Sequence, residues 1–190
     1  MRLLKASILL VLVGCVPSLH ELYTDQTLVF DPSIAGQWHD TDGTQWEIAA
    51  NAEEKNYTIT IHESEQTQSK LLAHLVEIEG HRFFDLYPAK DAAIKTGDWI
   101  KAHLIAGHLF LKVETADSKL ALAAMNPQTI DTLLKENPRL VKHERTKDRI
   151  ILTDSPENLQ VFVLAGLKIE GFFGDPITLE RVAKTAPGQP

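Results

Sequence analysis

Tyr57-Thr58-Ile59-Thr60-Ile61-His62 alternates strictly, with Tyr57, Ile59 and Ile61 on one face of an extended chain and Thr58, Thr60 and His62 on the other. That period of two is the pattern of a half-buried strand, and the chain repeats it in short runs closed by turn residues. Trp46-Glu47-Ile48 follows Asp42-Gly43, a hairpin signal. Lys70–Glu79 meets His81–Tyr87 across Gly80. Trp99–Ala106 meets His108–Thr115 across Gly107, and Lys119–Met125 follows the turn at 116–118. Leu140–His143 and Arg149–Thr153 form another pair, and Lys168–Phe173 adds a last strand. Short antiparallel strands at this spacing imply a barrel or a sandwich. Leu71-Leu72-Ala73 and Leu120-Ala121-Leu122-Ala123 are apolar on both faces. A closed barrel with helices packed outside buries both, so the expected class is mainly all-β, an antiparallel barrel with two short helices.

Those helices have clear start signals. Asn126 is an N-cap with Pro127 at the first helical position; Ile130, Leu133 and Leu134 form one stripe before Asn137-Pro138. Ser155-Pro156 repeats the device, with Leu159, Phe162 and Val163 on the buried side and Gly166 expected just past the end. A helical turn over Lys90–Ile94 is expected in the wide connection between Pro88 and Gly97. The domain is expected to span 31–182, with a flexible tail over 183–190.

The single cysteine, Cys15, follows Arg2, Lys5, an apolar run from Ala6 to Val13, and Gly14. This is the layout of a secretory signal over residues 1–14, too short to cross a bilayer. Leu12-Val13-Gly14-Cys15 resembles the lipobox of bacterial lipoproteins. The resemblance implies diacylglyceryl transfer to the Cys15 thiol, cleavage before Cys15, and acylation of the new amino end with a chain such as palmitate. It places the protein in the cell envelope, anchored to a membrane through Cys15. In an organism with two membranes, Val16 after the cysteine points to the outer one, facing the periplasm. Residues 15–30 then read as a lipidated tether: Pro17, Ser18, Thr24 and Asp25 have loop character, although Leu28-Val29-Phe30 is apolar enough to dock. The formal charge of −7 becomes about −9 once Arg2 and Lys5 are removed. That balance argues against nucleic acid as a partner, and against adhesion to anionic headgroups by charge alone.

Gly36-Gln37-Trp38, just after Asp31-Pro32-Ser33, resembles the Gly-x-Trp motif that opens the first strand of lipocalins. In that family the tryptophan plugs the closed end of an eight-stranded barrel that often holds an apolar ligand. The family's late arginine has Arg149 as its candidate, and its Thr-Asp-Tyr-like loop has no good match. The chain is also similar to uncharacterised bacterial lipoproteins through Phe30-Asp31-Pro32, Asp85-Leu86-Tyr87-Pro88 and His108-Leu109-Phe110.

Chemistry-bearing constellations are sparse. Of eight histidines, His103 with His108 and His74 with His81 flank turns, but a metal needs three or four converging ligands. His20-Glu21 lacks the second histidine of a zinc-protease helix, since position 24 is Thr24. Asp40-Thr41-Asp42-Gly43 imitates a calcium loop but has Asn51 at its twelfth position. Ser64 and Ser69 lie in a polar loop without a nucleophile elbow, and Asp85, Glu77 and Glu79 are scattered acids. No metal, cofactor or catalytic activity is expected. Trp38, Trp46, Tyr57, Phe83, Phe84, Trp99 and Phe110 fall in expected strands and either line a cavity or fill a core. The expected function is an anchored, non-catalytic barrel binding an apolar small molecule or lipid. The alternative is an interaction lipoprotein with a solid core that binds another envelope protein.

Overall fold

A computed structural model describes residues 15–92, 96–116 and 118–183. The expected signal peptide at 1–14, nearly all of the tail at 183–190, and part of the turn at 90–94 lie outside them. Among the described residues, no helix is long and apolar enough to cross a membrane.

Eleven strands form among the described residues: β1 (Leu28–Val29), β2 (Gly36–His39), β3 (Gln45–Asn51), β4 (Asn56–His62), β5 (Gln68–Ile78), β6 (His81–Pro88), β7 (Leu109–Ala116), β8 (Lys119–Ala124), β9 (His143–Arg145), β10 (Ile150–Leu152) and β11 (Ile177–Arg181). Eight of them close an antiparallel barrel, running from β2 through β8 in sequence order and then through β11 back to β2. The closing register sets Ile177 opposite Leu122 and Arg181 opposite Trp38. β5 is long enough to take β4 along its first half and β1 along its second. Full closure leaves no long free edge to recruit other chains.

The two-faced apolar strands have a direct physical reason. Leu75 opposes Phe84, Phe84 opposes Leu111, and Leu111 opposes Ala124, all facing inward. One position along, Val76 opposes Phe83 on the outside. The inner core gathers Ile34, Trp38, Trp46, Ile48, Tyr57, Ile59, Leu75, Phe84, Leu120 and Leu179. The outer core sets Val76, Phe83 and Phe110 against an insertion between β8 and β11. That insertion contains α2 (Pro127–Glu136), the β9–β10 hairpin and α3 (Pro156–Gly166). Burying an aromatic such as Phe83 outside the barrel contributes about 1.5–3 kcal/mol, which an uncovered outer face would forfeit.

Both helices start as their caps dictate: Asn126 accepts from the N–H groups of Gln128 and Thr129, and Ser155 from that of Asn158. Gly166 is the last residue of α3 rather than the residue beyond it, and Leu167 is the C-cap. A Cβ at Gly166 would lie 2.4 Å from the Phe172 ring, so close packing explains this glycine. Asp154 is buried and accepts from the Lys142 and Ser155 N–H groups and the Asn158 amide, tying the hairpin to α3.

Three expectations need correction. Trp99–Ala106 is not a strand: Asp98–Lys101 is a short helix, α1, making three α-helices among the described residues rather than two, and β6 pairs directly with β7 across the 89–108 loop. Lys168–Phe173 is a turn with one isolated bridge, Met125 to Phe173, and the barrel is closed instead by β11. Residues 15–30 are not a free tether. Val16 and Leu22 are buried in the outer core, and Ser18 is bonded through its backbone to His108. Alternation is too short here to announce itself as structure; the segment is held by single apolar side chains and backbone bonds.

Candidate functional site

One end of the barrel is sealed. Asp31 caps a 3-10 turn at Pro32–Ile34 by accepting the Ser33 N–H. Trp38 donates its indole N–H to the Ile34 carbonyl at 3.1 Å. The Arg181 guanidinium lies 4.1 Å above the Trp38 ring and donates to the carbonyls of Ala35, at 2.8 Å, and Ser33. Gly36 leaves the space this requires, because a Cβ there would sit 2.3 Å from Arg181 Nη1. The Tyr57 hydroxyl clamps the same turn, accepting the Asp31 N–H at 2.7 Å and donating to its carbonyl at 3.0 Å. Arg181, not Arg149, is therefore the arginine on the tryptophan. Arg149 is exposed beside β10, outside the barrel.

The opposite end is apolar and less covered. Ile61 at the end of β4, Leu71 near the start of β5, Leu109 and Leu111 on β7 and Ile177 at the start of β11 face inward and are half-buried. Beneath them Trp46 stands opposite Trp38 and Ile61. Its indole N–H is buried without a hydrogen-bond partner, singular among the buried polar side chains of the described residues. An unpaired buried donor costs about 1–3 kcal/mol. The connections at this end are the turn at 40–44, the loop at 63–67, the long loop at 89–108 and the insertion between β8 and β11. The 89–108 loop carries Trp99, 88% exposed, with Ile100, Leu104 and Ile105 also exposed.

A third feature lies on the barrel's outer surface. Asp85 on β6 is 1% exposed. It accepts the Leu22 N–H at 2.7 Å and lies 2.7 Å from His108 Nδ1. His74 stands opposite Asp85 in register and packs at a tilt against Tyr23 with ring centroids 4.3 Å apart; Tyr87 packs at a similar tilt against His108 at 4.6 Å. Ser18 pairs with His108, so serine, histidine and aspartate come together. The Ser18 hydroxyl donates to the His20 carbonyl at 2.7 Å, which commits it to a local turn. The group fastens the 18–29 segment across β7, β6 and β5, helped by Gln160, which donates to the Leu22 carbonyl and Thr27.

Burial depresses the His74 pKa below its ordinary 6.5, with Asp85 partly opposing the shift. The folded state thus binds this proton less readily than the unfolded chain. Its contribution to stability is complete above about pH 6.5 and is lost as pH falls through the lower folded pKa. Urea midpoints measured between pH 7 and 5 are expected to fall less steeply for His74→Phe than for the wild type.

The other candidates resolve into structural roles. Trp38, Trp46, Tyr57 and Phe84 face the inner core, Phe83 and Phe110 the outer core, and Trp99 faces solvent. Asp40 accepts the N–H groups of Asp42 and Thr44 and shapes a hairpin turn. Glu77 pairs with Arg82 at 2.9 Å, Ser69 donates to Glu63 at 2.6 Å, and Ser64 accepts the Gln66 N–H. His103 and His108 do not oppose one another, and His81 opposes Ile78. Among the described residues, no group of three or more His, Cys, Asp or Glu side chains is arranged to hold a metal ion. Cys15 is half-buried in a groove. Comparison with protein-family models, curated proteins and solved structures finds no match for this chain. The less covered end of the barrel gathers half-buried aliphatic side chains around its rim.

Proposed function

We propose that this is an envelope lipoprotein, lipidated at Cys15, whose non-catalytic barrel binds an apolar small molecule or lipid at its open end. The observation that carries the ligand reading is the asymmetry of the barrel. One end is closed by Arg181, Trp38 and the 3-10 turn, while the other presents half-buried aliphatic side chains above the unpaired Trp46 indole N–H. Apolar walls with one or two placed polar groups characterise small-molecule sites. The lipobox residues 12–15 support the anchor. In a cell with two membranes the domain would face the periplasm from the outer one.

A second reading, contact with another envelope protein, is favoured by one observation: Trp99, Ile100, Leu104 and Ile105 are exposed together on the 89–108 loop.

Native and denaturing mass spectrometry of the full chain, produced in a bacterial host, tests both parts. A non-covalent mass that disappears on denaturation is expected, together with a covalent lipid mass on the Cys15 peptide that Cys15→Ser lacks. Repeatedly empty protein would shift the assignment to the second reading, and an unmodified Cys15 would remove the anchor. Any soluble version must retain residues from 15 onward, because Val16 and Leu22 belong to the core.

A further inference from the structure

Charge is distributed unevenly over this acidic chain. Residues 135–149 contain Lys135, Arg139, Lys142, Arg145, Lys147 and Arg149 against only Glu136, Glu144 and Asp148, in a protein of formal net charge −7. The fold wraps part of this stretch around Cys15: a groove of about 350 Å³ is lined by Cys15 and Val16 together with Asp131, Lys135 and the turn from Arg145 to Ile150. Asp131 is occupied by Lys135 and Arg145. Arg139, Lys147 and Arg149 are exposed and have no ion-pair partner among the described residues. Leu140 is exposed on the same stretch.

We infer that this face, centred on the turn 145–149, is the surface by which the domain rests on anionic phospholipid headgroups. The inference builds on the lipid-anchor reading above. Its geometry comes from the lack of slack after Cys15. Val16 is 4% exposed, and Pro17, Ser18 and Leu19 are bonded to His108 and Leu152 through their backbones. A lipid on Cys15 would therefore draw the walls of the groove, and no other part of the domain, down to the bilayer. Lysine and arginine held within a Debye length of an anionic leaflet are attracted to it, and the attraction is screened by salt. The overall negative charge opposes adsorption of the free domain, while the anchor holds this positive face inward. Net charge alone hides that arrangement.

The test couples the chain from residue 15 onward, through the Cys15 thiol, to a maleimide lipid in vesicles of phosphatidylcholine with or without phosphatidylglycerol. This chain contains every described contact, and the chemical link makes the result independent of lipidation in a cell. Tryptic cleavage after Arg145, Lys147 and Arg149 is followed. On phosphatidylglycerol vesicles at low salt it is expected to slow by about fivefold or more, with the difference vanishing at about 0.5 M salt. Lys147→Glu combined with Arg149→Glu should remove the protection at Arg145. Equal cleavage on both vesicle types overturns the inference and leaves the anchor reading intact. Protection with an unmodified Cys15 in the cell retains the surface and removes the anchor.

Discussion

Asp85→Ala is expected to lower the unfolding free energy by about 3 kcal/mol, since it removes one partner of buried hydrogen bonds. The carboxylate is covered, yet it stands on the outer side of β6. It is what the crossing segment grips: one oxygen takes the Leu22 N–H and the other meets His108 Nδ1. Alanine would leave a backbone donor and an imidazole without their acceptor in a site closed by Tyr23 and Tyr87. Asp85→Asn should cost less, because its amide oxygen still accepts one of the two. The loss is expected to be local in character. Hydrogen exchange at 18–27 should accelerate at denaturant concentrations where β5 to β8 stay protected, because the barrel's ladders do not depend on this carboxylate. A urea-derived loss below about 0.5 kcal/mol, or exchange that rises uniformly over the barrel, would show that the segment is held by its apolar contacts alone.

The barrel was legible in the sequence because its strands alternate cleanly and turn at Asp42-Gly43 and Gly80, and because strands apolar on both faces demand an outer cover. The helices were legible because Asn126-Pro127 and Ser155-Pro156 are local signals that packing did not override. Two failures share one cause. Trp99–Ala106 and Lys168–Phe173 have strand-like composition, but β6 and β7 pair without the first, and the second is needed as a turn so that Phe172 can close on Gly166. β11 was missed because Ile177-Thr178-Leu179 is short and follows Gly174-Asp175-Pro176. With β11 went Arg181, the arginine that meets Trp38. Gly36-Gln37-Trp38 showed where the seal begins, but not which residue completes it 143 positions later. The Asp85 group was equally hidden: Asp85 bonds Leu22 and His108, residues with no periodic relation to it, brought together only when residues 18–29 cross the outside of three strands.

Trp38→Ala is expected to be the most damaging single change in the sealed end, costing about 3–5 kcal/mol as a large-to-small substitution in a packed core. The indole does three things at once: it fills the inner core, donates to Ile34 and supports Arg181. Arg181→Met should cost less, because the freed Ala35 and Ser33 carbonyls lie close to solvent and the methionine stem can still cover the ring. If the stacked guanidinium couples the two, the double mutant will be more stable than the single losses predict, by about 0.5–2 kcal/mol. Strict additivity in a denaturation cycle would mean that Arg181 acts only through its carbonyl bonds. The open end should respond in the opposite way. Trp99→Ser removes a side chain that is 88% exposed and should change stability by less than about 0.5 kcal/mol. One end of the barrel would then carry much of the fold's stability, while the exposed loop at the other end contributes little to it.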